Sequence, residues 1–385
     1  MRSAILLILL FIALQTQGQA LREINYRYAY EPDQAIRFQV KAFRQAGGYT
    51  VLYRLQLRDT TYRSENFTIQ WEGREALNEK VGAPLAITPQ TSQVHGELSG
   101  TFTLDQAGAP KILVAKVVHT PAKRAWFFYK EIDPAAAMIG YLQTRTAPVF
   151  DDFVGTFKAL QVKGFDGASP LIVSYYNDNF PAAAPAFSEG QARVSKEMKS
   201  DSVYAISPDV ELSFDKKGLY LIQKDTNSTV GLSFRAEDGY PKFSRIQDLV
   251  GPLVYICTKE EFARLRNSGN DKKQFDRIVL NITQDSERAK LLMRNFFKRV
   301  ELANMLFTSY KEGWKTDRGM VYIVFGAPDE VFKFSDREVW TYGKTTFNFV
   351  KSSTLFDPDN YVLIRDRKYT DEWYEKVDLI RNSRF

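Results

Sequence analysis

Cysteine and histidine are nearly absent from this chain, which has one Cys and two His among 385 residues. No disulfide framework, thiolate cluster or zinc finger is available, and histidine-based catalysis has almost no stock to draw on. No Gly-x-Ser-x-Gly elbow, phosphate-cradling glycine loop or His-Glu-x-x-His helix occurs either, so the commonest hydrolase and nucleotide chemistries lose their signatures. Charge of one sign is also scarce. The formal charge is +6, with basic and acidic side chains interleaved as in Lys259-Glu260-Glu261 and Arg365-Asp366-Arg367-Lys368. Without a long positive block, no nucleic-acid partner is expected.

One apolar run is present, the 11 residues from Ala4 to Leu14, preceded by Met1-Arg2 and followed by polar and small residues up to Ala20. It is shorter than the roughly 20 residues a membrane helix needs and has the layout of a cleaved secretory signal over residues 1–20. Nothing after it approaches a membrane span, so no integral membrane segment is expected once the signal is removed. Cys257, in Val254-Tyr255-Ile256-Cys257, is read as a small buried hydrophobe.

What the chain has in abundance is aromatic residues, 14% of the total with 28 Phe and 20 Tyr, which favours sheet. Ile24, Tyr26 and Tyr28 alternate with polar residues, as do Ile36, Phe38, Val40 and Ala42. Both stretches are read as half-buried strands. Gly47-Gly48 signals a hairpin, and Lys111 to Val118 and Arg124 to Lys130 add strands, so residues 21–132 form an expected antiparallel β-sandwich of immunoglobulin-like type. Residues 133–253 are expected to form a second one. Its strands are placed at Leu171 to Tyr176, Val210 to Phe214, Leu219 to Lys224 and Val230 to Ala236, interrupted by the proline-punctuated Phe180 to Pro185.

At Thr258 the hydrophobic period changes. Thr258 and Glu261 make a capping box for a short helix, and a longer helix from about Asp285 to Tyr310 follows. That helix carries Ala289, Leu292, Met293, Phe296, Val300, Ala303 and Phe307 as one apolar stripe, with basic Arg288, Arg294, Lys298 and Arg299 off it.

Then come Gly313-Trp314-Lys315-Thr316-Asp317, the run Arg318 to Phe325, and the turn Gly326-Ala327-Pro328-Asp329-Glu330. On these residues the chain resembles the GWxTD-domain family, exported proteins typical of the Bacteroidetes group of bacteria. The resemblance covers about residues 254–385 and implies no reaction, hence no catalytic residue, cofactor or metal. It suggests a structural role for Gly313, Trp314, Thr316, Asp317, Gly319, Gly326, Pro328, Asp329 and Glu330. From the residues themselves, Gly313 is read as a left-handed helix stop and Trp314 as a hydrophobic plug. Thr316 to Gly319 is read as a turn launching a strand in which Val321, Ile323 and Phe325 share a face. Further strands at Val339 to Tyr342, Thr345 to Val350 and Tyr361 to Ile364, and a last helix at Asp371 to Arg381, complete the segment.

The expected fold is therefore mainly β with a C-terminal α+β domain: two antiparallel β-sandwich segments followed by helices packed on a small antiparallel sheet. Asp317, Asp329 and Glu330 are weighed as a carboxylate cluster for acid–base work, and Phe356 to Asn360 and Asn177 to Asn179 as Ca²⁺ loops. In each case a turn-stabilising role is the simpler reading. The function expected is that of a non-enzymatic exported envelope protein, periplasmic or associated with the outer membrane, acting as a scaffold with envelope protein partners. The rival is a glycan-binding or glycan-hydrolysing protein that uses Trp314, Trp340 and Trp373 as sugar platforms.

Overall fold

The computed structural model describes residues 18–385 apart from 95, 134–137, 166, 168, 169, 178, 179 and 191–197. Most of the expected signal segment, with His95, Asp178 and Asn179, lies outside the described residues. Among those described, no helix is long and apolar enough to cross a membrane.

The first unit is built from eight strands: β1 (Ile36–Gln45), β2 (Gly48–Leu57), β3 (Phe67–Arg74), β4 (Ala83–Pro84), β5 (Gln90–Val94), β6 (Glu97–Asp105), β7 (Ile112–His119) and β8 (Arg124–Glu131). They make two four-stranded antiparallel sheets, in the orders β1-β2-β6-β5 and β4-β3-β7-β8. The alternation along each strand sends Phe38, Val51, Tyr53, Trp71, Phe102, Leu113, Val117 and Trp126 into a shared core between the sheets. His119 is buried there, its ring stacked 4.5 Å from Tyr62.

The second unit comprises β9 (Tyr141–Gln143), β10 (Phe153–Val154), β11 (Gln161–Lys163), β12 (Leu171–Asn177), β13 (Ser202–Ile206), β14 (Gly218–Gln223) and β15 (Leu232–Ala236). Five of them form a sheet in the order β10-β15-β14-β12-β13, and β9 and β11 form a two-stranded ribbon. The β10–β15 pair is parallel, a departure from the all-antiparallel expectation. Val210 to Phe214, expected as a strand, contributes only an isolated bridge between Leu212 and Leu160.

The C-terminal unit begins with α1 (Ile246–Val250) and a 3₁₀ turn over Gly251–Tyr255. Next come α2 (Lys259–Asn267), α3 (Lys272–Thr283), α4 (Ser286–Phe307) and α5 (Asp317–Phe325). A meander of β16 (Glu330–Lys333), β17 (Arg337–Tyr342), β18 (Thr345–Lys351) and β19 (Tyr361–Leu363) follows, and α6 (Thr370–Arg381) closes the chain. The Thr258–Glu261 capping box at α2 is formed in both directions, and Gly343, at φ +56°, turns the β17–β18 hairpin.

Two elements correct the reading of the sequence. Residues Asp317–Phe325, expected as a turn and a strand, are the helix α5. Every side chain from Met320 to Phe325 is buried, so the run is apolar all round and alternation carries no information about its period. The deciding signal is the Thr316 cap, whose Oγ1 accepts the Gly319 N–H at 3.0 Å. Nor do Ile24, Tyr26 and Tyr28 lie in a strand: the stretch contains 3₁₀ turns at Leu21–Glu23 and Arg27–Ala29. It leaves its own sandwich and docks on the C-terminal unit, the Tyr26 N–H donating to Val331 O at 2.8 Å and the Val331 N–H to Asn25 Oδ1 at 3.0 Å.

That docking makes one continuous core from Leu21, Ile24, Tyr26 and Tyr30, from Ile112 and Val114 of β7, from Ala183 and Ala186 of the proline-punctuated loop, and from the helices and meander. Tyr30 stacks 5.7 Å from Phe307 and lies 5.0 Å from Trp340. Tyr30→Ala is therefore expected to destabilise the C-terminal unit by about 3–5 kcal/mol. Urea denaturation followed by tryptophan fluorescence measures it; a transition unchanged in midpoint would show that the N-terminal segment does not share this core.

Candidate functional site

The signature residues occupy the joint between α4, α5 and the meander. Gly313 does not stop a helix in the left-handed region as expected. Its constraint is steric, since a Cβ there would lie 2.1 Å from Ala303 O. Just beyond it, the Trp314 N–H donates to Asn304 Oδ1 at 3.0 Å, while Asn304 Nδ2 donates to Pro241 O at 3.0 Å. The Trp314 indole covers Gly251, and its carbonyl accepts the Tyr255 hydroxyl at 2.9 Å. Gly319 is held tighter still, a Cβ there falling 1.8 Å from Gly313 O.

Asp317 is buried and committed. Its carboxylate accepts the Leu363 N–H at 2.7 Å and receives Arg365 Nη2 at 2.6 Å. Arg365 also donates to Ala184 O, tying the proline-punctuated loop to the same point. Gly326, at φ +85°, ends α5 ahead of buried Pro328. Asp329 Oδ2 accepts the Gly343 N–H at 2.8 Å and braces the hairpin, and Glu330 is exposed on β16. The three carboxylates weighed for acid–base work thus have three separate duties. Among the described residues, no group of three His, Cys, Asp or Glu side chains is placed to hold a metal.

The basic strip on α4 is likewise divided. Arg288, Arg294 and Lys298 are exposed, whereas Arg299 turns inward and donates to the Ile323 and Val324 carbonyls at 3.2 Å, neutralising the C-terminal end of α5. Burial pushes the half-buried Cys257 thiol up to about 12, so it is inert at ordinary pH. All five tryptophans are at most 7% exposed, so none presents a face for a sugar to stack on.

A cleft of about 730 Å³ opens where the units meet. Its walls are the Tyr26 to Tyr30 segment, β1 from Phe38 to Ala42, β8 from Phe127 to Glu131, and the C-terminal residues Arg318, Lys333, Glu338, Lys351 and Ser353 to Asp359. A smaller cavity of about 280 Å³ adjoins it and shares Tyr30, Phe38 and Lys333.

Glu338, 1% exposed, anchors one wall. It accepts hydrogen bonds from Tyr30 Oη at 2.5 Å and Trp340 Nε1 at 2.7 Å and pairs with Arg318 Nη1 at 3.3 Å. Burial pushes its carboxyl up, but Lys333, Arg318 and the two hydrogen bonds together outweigh it, leaving the group below the usual carboxylate range. Arg318 lies over the Tyr361 ring at 4.4 Å.

Opposite, a charge lattice joins β8 to the meander: Lys130 to Asp359 at 2.8 Å, Lys351 to Glu131 at 2.7 Å and Lys351 to Asp359 at 3.1 Å. Lys130, with Lys351 behind it, holds Asp359 far below the usual carboxylate range. Its neighbour behaves oppositely, since burial, with the Asp359 charge adding to it, raises the Asp357 carboxyl to about 7. The stretch weighed as a Ca²⁺ loop therefore clasps β8 to the meander, with the exposed Asp359 neutralised by lysines and Asp357 poised to protonate.

Residues 218–382 match the GWxTD domain. The chain carries a GWxTD domain. No curated protein matches the chain. The matched span starts at Gly218, upstream of residue 254 where the change of period placed a boundary, and so takes in β14 and β15. A buried ion network shows why these strands go with the GWxTD domain: Arg235 on β15, 0% exposed, donates to Tyr310 O at 3.1 Å and pairs with Glu237 at 3.1 Å and Glu312 at 3.7 Å. Lys217 reaches Glu237 at 2.5 Å, and Lys315, within the signature, reaches Glu312 at 2.8 Å.

The cleft residues Tyr26, Tyr30, Lys130, Lys333, Glu338 and Lys351 were not singled out from the sequence. One signal was available. Glu338 and Trp340 are two apart on a strand and share a face, so a carboxylate sits on an apolar side, where only a paired charge is tolerated.

Two predictions test this site. Trp314→Ala should cost about 3–5 kcal/mol, read from denaturant unfolding; a cost near zero would mean that the indole is not packed as described. For Asp357, the folded-state value of about 7 lies above its ordinary 3.8, so its contribution to stability is full below about 4 and is lost as pH rises through about 7. Melting temperature should fall from about pH 4 to about pH 7, and Asp357→Asn should flatten that dependence; equal slopes in the two proteins would refute the assignment.

Proposed function

We propose that this protein is a non-enzymatic, exported component of the cell envelope that acts as a protein-interaction scaffold. The observation that carries the reading is the use to which the signature is put. Gly313, Trp314, Thr316, Asp317 and Gly319 are spent on joining helix, meander and loop. The open space of the molecule lies elsewhere, in a cleft between units that none of these five residues lines and whose walls are aromatic rings and paired charges. Rigid sheets that converge on a cleft of this size suit the holding of another chain. Export, to the periplasm or the outer-membrane surface, is supported by the apolar segment from Ala4 to Leu14. Burial of Trp314, Trp340 and Trp373 removes the platforms on which the glycan reading rested.

Crosslinking in the native envelope followed by mass spectrometry tests this. A scaffold should yield recurrent crosslinks from lysines around the cleft to the same partner protein at near-stoichiometric levels. Crosslinks confined to the chain itself, together with release of reducing sugar from envelope glycan by the purified protein, would replace the scaffold with the rival activity.

A further inference from the structure

The wall of the cleft formed by β8 is a sheet edge. In the order β4-β3-β7-β8, β8 pairs with β7 on one side, and no strand pairs with the other. Which residues point outward is fixed by two observations. The Tyr28 hydroxyl donates to Phe127 O at 2.5 Å and accepts the Phe127 N–H at 3.1 Å, so both backbone groups of Phe127 face away from β7. The Ile132 N–H donates to Lys111 O at 2.8 Å, so Ile132 faces inward. Bonding direction alternates along an antiparallel strand, which places the N–H and C=O groups of Tyr129 and Glu131 on the outer side with those of Phe127. At Phe127 the Tyr28 hydroxyl already substitutes for the peptide group of a neighbouring strand. At Tyr129 and Glu131 no group among the described residues does so.

Beside this edge stand two polar groups that make no direct hydrogen bond or close ion pair among the described residues. The Tyr26 ring packs 5.9 Å from Tyr129 and is 3% exposed, yet its hydroxyl has no hydrogen-bond partner among the described residues. The Lys333 ammonium stands 5.4 Å from the centroids of both Tyr26 and Tyr30 and makes no ion pair among the described residues. The other cations of the cleft are spent: Lys41 on Asp152, Lys130 and Lys351 on Asp359, and Arg318 on Glu338. Lys333 acts on buried Glu338 only at a distance and contacts no carboxylate directly, so with the neighbouring phenol free to donate it is complementary to a carboxylate.

We propose that β8 takes on one further strand inside the cleft, supplied by an extended segment of a partner protein whose acidic side chain is received by Lys333 and the Tyr26 hydroxyl. Main-chain bonds to Tyr129 and Glu131 hold the segment, and the carboxylate selects it. A volume of about 730 Å³ is of the size that ligand sites have. Below pH 7 Asp357 is largely protonated and adds no opposing charge. This inference rests on the scaffold reading and names the chemistry of its partner.

The test is a selection of random heptapeptides, displayed on phage, against the full chain at pH 6, followed by fluorescence anisotropy with the selected peptides. Enrichment of Asp or Glu at one position is expected, with affinity falling on the order of tenfold or more in Lys333→Gln, returning in Lys333→Arg, and falling in Tyr26→Phe. N-methylation of alternate peptide amides should abolish binding, because it removes the main-chain bonds. A melting transition like that of the unmodified chain confirms that each variant is folded. The inference is overturned if no acidic position is enriched, if the selected peptides bind Lys333→Gln equally well, or if N-methylation has no effect. Should those results come with envelope crosslinks that persist in Lys333→Gln, the cleft assignment fails while the scaffold reading stands.

Discussion

A carboxylate withdrawn from water must find donors on every side or give up its charge, and Glu338 is where this protein meets that demand. Its donors come from two distant parts of the chain and from its own strand: Tyr30 from the N-terminal segment, Arg318 from the helix that follows the signature, and Trp340 two residues along. None of these side chains can shift without stranding the buried anion, so the N-terminal segment, α5 and the meander are held in one mutual arrangement. The Tyr322 hydroxyl adds a second tie, donating to Tyr30 O at 2.8 Å. The wall of the cleft that carries Lys333 and Tyr26 inherits its shape from this cluster.

Much of the architecture was legible from the residues. Period-two alternation marked β1, the runs Lys111 to Val118 and Arg124 to Lys130 marked β7 and β8, and the Thr258–Glu261 pair marked α2, because each is a local cause with a local effect. The failures share one physical origin, burial on all sides. From Met320 to Phe325 no side chain meets water, so the pattern that separates helix from strand is erased and the Thr316 cap alone decides. The N-terminal tyrosines misled for a related reason, since they alternate like a strand but are drawn out of the sheet by the C-terminal core. The cleft was illegible because its chemistry depends on Tyr26, Lys130, Lys333 and Asp357 meeting across more than 300 residues of chain, and no spacing rule records such a meeting.

The ion network around Arg235 bears on what counts as a domain here. A guanidinium buried in one sheet and matched by Glu312 next to the signature makes the last strands of the second unit energetically part of the GWxTD domain. Separating the two regions would break the Arg235–Glu312 contact and the Arg235 bond to Tyr310 O, so each stabilises the other. The break in hydrophobic period at Thr258 is a change of secondary structure that falls inside the matched span.

The contacts at Gly313 and Gly319 have a bearing on how short motifs are interpreted. Two backbones pass so near one another that even a methyl group would intrude, and nearly every nonsynonymous codon change at either glycine introduces at least that much bulk. Steric exclusion alone is thus enough to purge variants at these positions, and a recognisable string of letters can persist in a lineage as the fingerprint of a crossing point without any reaction to protect.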